Sequence, residues 1–165
     1  MPTTLPLPIE FSLPEGWQAA PPDEVGAPDV AFIALHPRPD AGFTANITID
    51  GDFLPDGTAL EDLADASVDR VRAAAVSTAL VARRPIGSAS SPGLTQRLTL
   101  SAVVGGVPRD LVQSQVYMIF LDVNDPHKRA VIRLILTATA AQHDSVLGDF
   151  QDFLRTVRPD TGTEA

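Results

Sequence analysis

Apolar residues recur at every second position along seven segments of this chain, and at helical spacing in two others. The order of those segments limits the fold more than any motif does. Ile9 to Leu13 alternates, with Ile9, Phe11 and Leu13 on one side, and Pro14 and Gly16 stop it. Val30 to His36 and Phe43 to Asp50 read as the next two strands. In the second, Phe43, Ala45, Ile47 and Ile49 face one way, and Thr44, Asn46, Thr48 and Asp50 the other. The single tryptophan, Trp17, is expected to fold back onto the core edge beside the turn made by Pro14 and Gly16, since so large a ring stabilises what it covers.

Thr58-Ala59-Leu60-Glu61 has the spacing of a capping box, in which each outer side chain bonds the other's free backbone N–H. Leu60, Leu63, Ala64, Val68, Val71 and Ala75 then form a stripe at helical spacing, and this first helix is expected to end near Ser77. Acids lead and arginines follow, as the helix dipole favours. A second helix opens at Thr139-Ala140-Ala141-Gln142, again with capping-box spacing. Val146, Leu147, Phe150, Leu154 and Val157 make its stripe, Arg155 and Arg158 occupy its last turn, and Pro159 bars continuation.

Four strands are expected between the helices: Leu80 to Ile86, Leu94 to Val103, Asp110 to Leu121 and Lys128 to Thr139. In the last of them Ile132, Leu134, Leu136 and Ala138 point inward. Gly105-Gly106 turns the chain between the second and third. A two-residue turn there makes same-face partners one even and one odd, yet the apolar sets Leu98, Leu100, Ala102 and Val112, Val116, Met118 are all even. A one-residue mismatch would send one set into water, so a bulge or odd-length loop is expected near the glycines.

The order is βββαββββα and the fold class is α+β: a meandering antiparallel β-sheet with two packed α-helices. The 165 residues suit one domain, bounded as an N-terminal arm over 1–8, an α+β domain over 9–158 and a disordered tail over 159–165. A formal net charge of -9 argues against nucleic-acid binding and against docking on an anionic membrane. The absence of cysteine excludes disulfides, thiolate metal sites and cysteine nucleophiles. Met1-Pro2-Thr3-Thr4 does not read as a signal peptide, and no apolar stretch reaches membrane-spanning length. The expected location is cytoplasmic for the chain as written, or the envelope if it is processed.

The early strand closed by Leu13-Pro14-Glu15-Gly16-Trp17, the acidic helix after the third strand, the long hairpins and the C-terminal helix ending in Arg158-Pro159 together resemble the PsbP-like superfamily. That group holds PsbP, the Ran-binding Mog proteins and the LpqN/LpqT family. The Ala-, Arg-, Asp- and Pro-rich composition looks actinobacterial, which places the likeness nearest LpqN/LpqT. The resemblance covers about residues 9 to 158. It implies a non-enzymatic role in binding, assembly or chaperoning, and carries over no site residue.

Chemical motifs are sparse. His36, His127 and His143 lack a ligand-like spacing and read as surface residues. Asp122, Asp125 and His127 share a turn whose oxygens are of a kind that holds a hard cation, but turn formation explains the same residues without a metal and is the favoured reading. Gly87 to Gly93 lacks the ending of a phosphate loop, and Ser88, Ser90 and Ser91 have no evident base. Asp62, Asp65 and Asp69 form a solvated face on the first helix, or an acidic docking stripe. No catalytic residue, metal or cofactor is expected.

The face opposite the helix-covered core carries Arg97, Gln115, Tyr117, Arg133 and Ile135, and these are the expected partner-binding residues. The occupant is a protein partner or a second copy of the chain. The leading expectation is a non-catalytic protein-binding module, an adaptor or chaperone for a secreted or envelope partner. The alternative is a small-molecule binder with a pocket between sheet and helices, and an unrecognised enzyme is the third class.

Overall fold

The computed structural model describes residues 5–6, 9–24, 30–55, 57–87, 92–121 and 129–159. The elements are β1 (Ile9–Glu10), β2 (Gln18–Ala20), β3 (Phe32–Leu35), β4 (Asn46–Leu54), α1 (Leu60–Ala74), β5 (Ser77–Gly87), β6 (Pro92–Val104), β7 (Val107–Leu121), β8 (Arg129–Thr139), α2 (His143–Thr156) and β9 (Arg158–Pro159). β2 to β8 form one seven-stranded antiparallel sheet in the order β2-β3-β4-β8-β7-β6-β5. The α+β meander with two helices is thus observed. The early strand shrinks to β1, which pairs with β9 outside the main sheet. Phe11 still packs on the core, edge-on to Phe32 and to Phe153.

The helices lie on opposite faces, so the sheet is a middle layer. α2 covers β8 and closes a core of Ile47, Ile49, Val116, Ile132, Leu134, Leu136, Val146, Phe150 and Phe153. α1 lies over β5 and β6 and closes a second core of Leu54, Ala64, Leu94, Tyr117, Ile119 and Val131. Each face therefore has its own apolar set, which removes the reason for an irregular turn at the glycines. Gly105 and Gly106 make a regular two-residue turn with φ of 60° and 79°, a left-handed pair that glycine adopts without strain. The ladder runs unbroken from Val104↔Val107 to Gly93↔Met118. Leu94 and Leu98 pair with Tyr117 and Gln113 toward α1, while Val112, Val116 and Met118 face α2. The register shift falls instead between Leu80 and Ala82, where β5 is the sheet edge. A bulge, Arg83, Arg84 and Pro85 on that edge discourage pairing with another strand.

The capping boxes form less completely than their spacing suggests. The N-cap of α1 is Ala59, with no side-chain cap bond, so the Thr58–Glu61 reciprocity is absent. At α2 the Thr139 hydroxyl accepts the Gln142 N–H at 3.1 Å, but the Gln142 amide donates to the Arg38 carbonyl instead of returning to Thr139.

Trp17 is buried as expected. Its backbone N–H donates to Pro14 O at 3.1 Å across the turn in which Gly16 has φ +87°. Its indole N–H donates to Asp149 Oδ2 at 3.0 Å, tying the β2 corner to α2. Native Trp17 emission is expected to be blue-shifted and protected from acrylamide, moving red on unfolding. A red, freely quenched native emission would contradict that placement.

Candidate binding cleft

Because each helix covers only part of its face, two flanks are left partly open. On the α1 side, β8–β7 register brings Gln115, Tyr117, Arg133 and Ile135 together, as the sequence suggests. That cluster is not the free surface expected of it. Tyr117 has 0% exposure and Gln115 is also buried, because α1 lies over this face. A polar network satisfies them: Gln115 Oε1 accepts from Tyr117 OH at 3.0 Å and from Gln96 Nε2 at 2.7 Å. Gln96 Oε1 accepts from Arg83, which also pairs with Asp65 at 2.7 Å. Arg133 is held by Asp50 at 2.6 Å and Asp52 at 2.9 Å, so its charge is already answered. Ile135 remains half-buried beside a cavity of about 250 Å3 between α1 and the sheet.

Arg97 is on the opposite face. Its register partner is Ser114, and the regular hairpin puts odd positions of β6 with even positions of β7, toward α2. There it lines a cleft of about 420 Å3 between α2 and the β5–β6 side of the sheet. α2 supplies Leu147, Phe150, Gln151 and Leu154; the sheet supplies Ile86, Thr95, Val116 and Ser114, with Arg84 beside Arg97. No carboxylate among the described residues pairs with Arg84 or Arg97. At one end the Ser114 hydroxyl and His143 Nε2 lie 2.9 Å apart in a buried hydrogen bond. His143 is 2% exposed, which corrects its reading as a surface histidine.

The sequence held a faint signal for this cleft. The α2 stripe is wider than one seam requires: Val146, Phe150 and Phe153 are buried, while Leu147 and Leu154 are half-buried shoulders. Nothing local distinguishes such shoulders from ordinary core. Asp122, Asp125 and His127, and Ser88, Ser90 and Ser91, lie outside the described residues. Among the described residues no three His, Asp or Glu side chains gather in a metal-holding group, and no helix is long and apolar enough to cross a membrane.

No family model and no curated protein matches the sequence. Solved structures do. The Mycobacterium tuberculosis protein LpqN, described as involved in cell envelope biogenesis, superposes with TM-score 0.63 at 11% identity, over 92% of this chain and 83% of that one. Cyanobacterial PsbP (CyanoP) of Synechocystis sp. PCC 6803 gives TM-score 0.59 at 15% identity, over 92% and 86%. The fold is PsbP-like. The Ran-binding protein Mog1p of Saccharomyces cerevisiae shares it, with TM-score 0.54 at 13% identity over 95% of this chain and 93% of that one.

Within this PsbP-like frame the Ser114–His143 pair is a clamp between β7 and the first turn of α2. Asp144 Oδ1 lies 3.5 Å from His143 Nδ1, beyond hydrogen-bond range for a triad, and its side chain is exposed. Burial pushes the imidazole pKa below its usual 6.5; the Arg97 charge adds to this and Asp144 opposes it. The folded state therefore keeps His143 neutral, while the unfolded chain takes up a proton near pH ~6.5. Between the lowered folded value and that pH the unfolded state binds more protons, so this contribution is intact above pH ~6.5 and shrinks as pH falls below it. Urea midpoints at about pH 7.5 and about pH 5.5 are expected to differ less in His143→Gln than in wild type. Equal pH dependence in the two proteins would contradict this.

Proposed function

We propose that this is a non-catalytic binding protein whose ligand occupies the cleft between α2 and the β5–β6 side of the sheet. The carrying observation is the cleft of about 420 Å3, with one apolar wall and two arginines. Its volume is that of a small-ligand pocket, roughly 300–1,000 Å3. A standard protein interface calls for a broad surface of about 800 Å2 per partner. The neutral fluorophore N-phenylnaphthylamine is expected to bind with a rise in emission. Leu147→Asp should abolish the rise, and so should Thr95→Trp, which narrows the cleft from the sheet side without removing an apolar contact. Binding that survives both changes in folded protein would place the ligand elsewhere and defeat the reading.

A protein partner is the second reading. It is supported by the likeness to Mog1p, a Ran-binding protein, and by the flank where Arg133 and Ile135 remain half-buried. Tyr117 and Gln115 would contribute there only as supports beneath α1. Ile135→Arg is expected to abolish any partner complex or dimer seen by light scattering. An unchanged complex would rule this flank out.

A further inference from the structure

Resting on the cleft reading, we infer that the ligand is an amphiphilic anion: a carboxylate-like head seated on Arg97 and Arg84, with an apolar body along α2. Charge is the first argument. The chain carries 21 acidic and 12 basic residues, so acids are plentiful partners. Arg83, Arg155 and Arg158 each pair with one, and Arg133 with two. Arg97 and Arg84 have no such partner among the described residues, nor do Arg38, Arg70, Arg72, Arg109 and Arg129; what sets Arg97 and Arg84 apart is that both line the same cleft beside its apolar wall. Register makes them diagonal neighbours, since Arg97 pairs with Ala82 and Arg84 with Thr95. Diagonal Cβ atoms on adjacent strands are roughly 7 Å apart. Two like charges at that separation repel mildly, and an anion between them reverses the sign. Arg84 is exposed at the cleft mouth, but Arg97 is half-buried, and its charge acts on the buried His143 at the cleft end.

The apolar body is argued from the other wall. Leu147 and Leu154 are half-buried on α2, with the ring of Phe150 between them and Val116 beneath. Covering them removes apolar surface from water, and a chain of methylenes does so with little shape demand. A free inorganic anion would leave that wall bare, and a neutral hydrocarbon would leave the guanidinium groups unanswered. The two halves of the cleft therefore select for both features in one molecule.

The test is displacement of N-phenylnaphthylamine by decanoate, decanol and decyltrimethylammonium, three heads on one chain. Decanoate is expected to displace the fluorophore at about tenfold lower concentration than decanol, the range of a charge-assisted hydrogen bond, with the cation weakest. Arg97→Gln should erase the advantage of decanoate while leaving decanol unchanged, and Arg84→Gln should reduce it. If decanol matches decanoate in wild type, or neither variant alters the ratio, the anion inference falls and the cleft reading stands. If none of the three displaces the fluorophore, or it does not bind, both fall together.

Discussion

Phe150→Ala is expected to destabilise the protein by about 3–5 kcal/mol, the range for emptying an aromatic site in a packed core. Phe150 is 1% exposed and sits mid-way along α2, stacked over Phe153 with ring centroids 6.2 Å apart. It belongs to the cluster that joins α2 to Ile132, Leu134 and Leu136 of β8, so its loss weakens the attachment of the helix as well as opening a cavity. The helix is pinned elsewhere by the Trp17–Asp149 and Ser114–His143 bonds, which limits how far it can settle into the gap. Leu134→Ala, from the strand side of the same core, is expected to cost about 2–5 kcal/mol. Urea midpoints measure both. Near-neutral midpoints for the two would mean that the inward face is wrongly assigned. Because Phe150 also lines the cleft, its variant is a poor test of ligand binding, which Thr95→Trp addresses with less disturbance.

Tyr117→Ala is expected to cost a comparable amount, about 3–5 kcal/mol, where a surface tyrosine would cost little. The ring is enclosed by α1, beside Leu94, Ile119 and Val131. Its hydroxyl donates to Gln115 Oε1, which keeps a second donor in Gln96 when the ring is removed. Most of the loss is therefore cavity formation. Tyr117→Phe, which deletes only the hydroxyl, should cost about 1 kcal/mol. The gap between the two substitutions is the readout. If Tyr117→Ala is as mild as Tyr117→Phe, the ring is not enclosed. Burial also raises the phenol pKa, so the neutral form is favoured in the fold, and stability from this group should decline as pH rises past the ordinary value of 10.0. Arg133→Glu should be destabilising for a separate reason: it sets a third carboxylate against Asp50 and Asp52.

Much of the architecture was legible because its signals are local. Phe43 to Asp50 alternates, and although β4 starts only at Asn46 and runs on to Leu54, it keeps Ile47 and Ile49 buried as that alternation requires. Ile132, Leu134, Leu136 and Ala138 point inward in β8 for the same reason. The stripes of Leu60 to Val71 and Val146 to Leu154 are helical because residues three and four apart share a face, whereas α2 ends at Thr156, leaving Val157 extended and Arg158 in β9 rather than in the last turn. β2 was not legible, since Gln18-Ala19-Ala20 is too short to show a period and pairs only because β3 runs beside it. The candidate site was less visible than the fold. Gln115, Tyr117, Arg133 and Ile135 do share a face while Arg97, grouped with them, lies on the other, and sharing a face says nothing of what lies above it.

The sequence by itself determined the order of the two helices and the longer strands, the pleat of those strands and the apolar stripe of each helix, because these follow from backbone geometry over a few residues. Only the tertiary structure decided which face each helix covers. β4 and β5 run parallel across four antiparallel steps, so α1 is a crossover whose handedness selects its side of the sheet once the strand order exists. That choice buries Tyr117 and frees the regular Gly105-Gly106 hairpin from a conflict that only a one-sided sheet would impose. It also sends Arg97 to the α2 face, where a helix lying over β8 leaves β5 and β6 uncovered and makes a cleft from residues far apart in the chain.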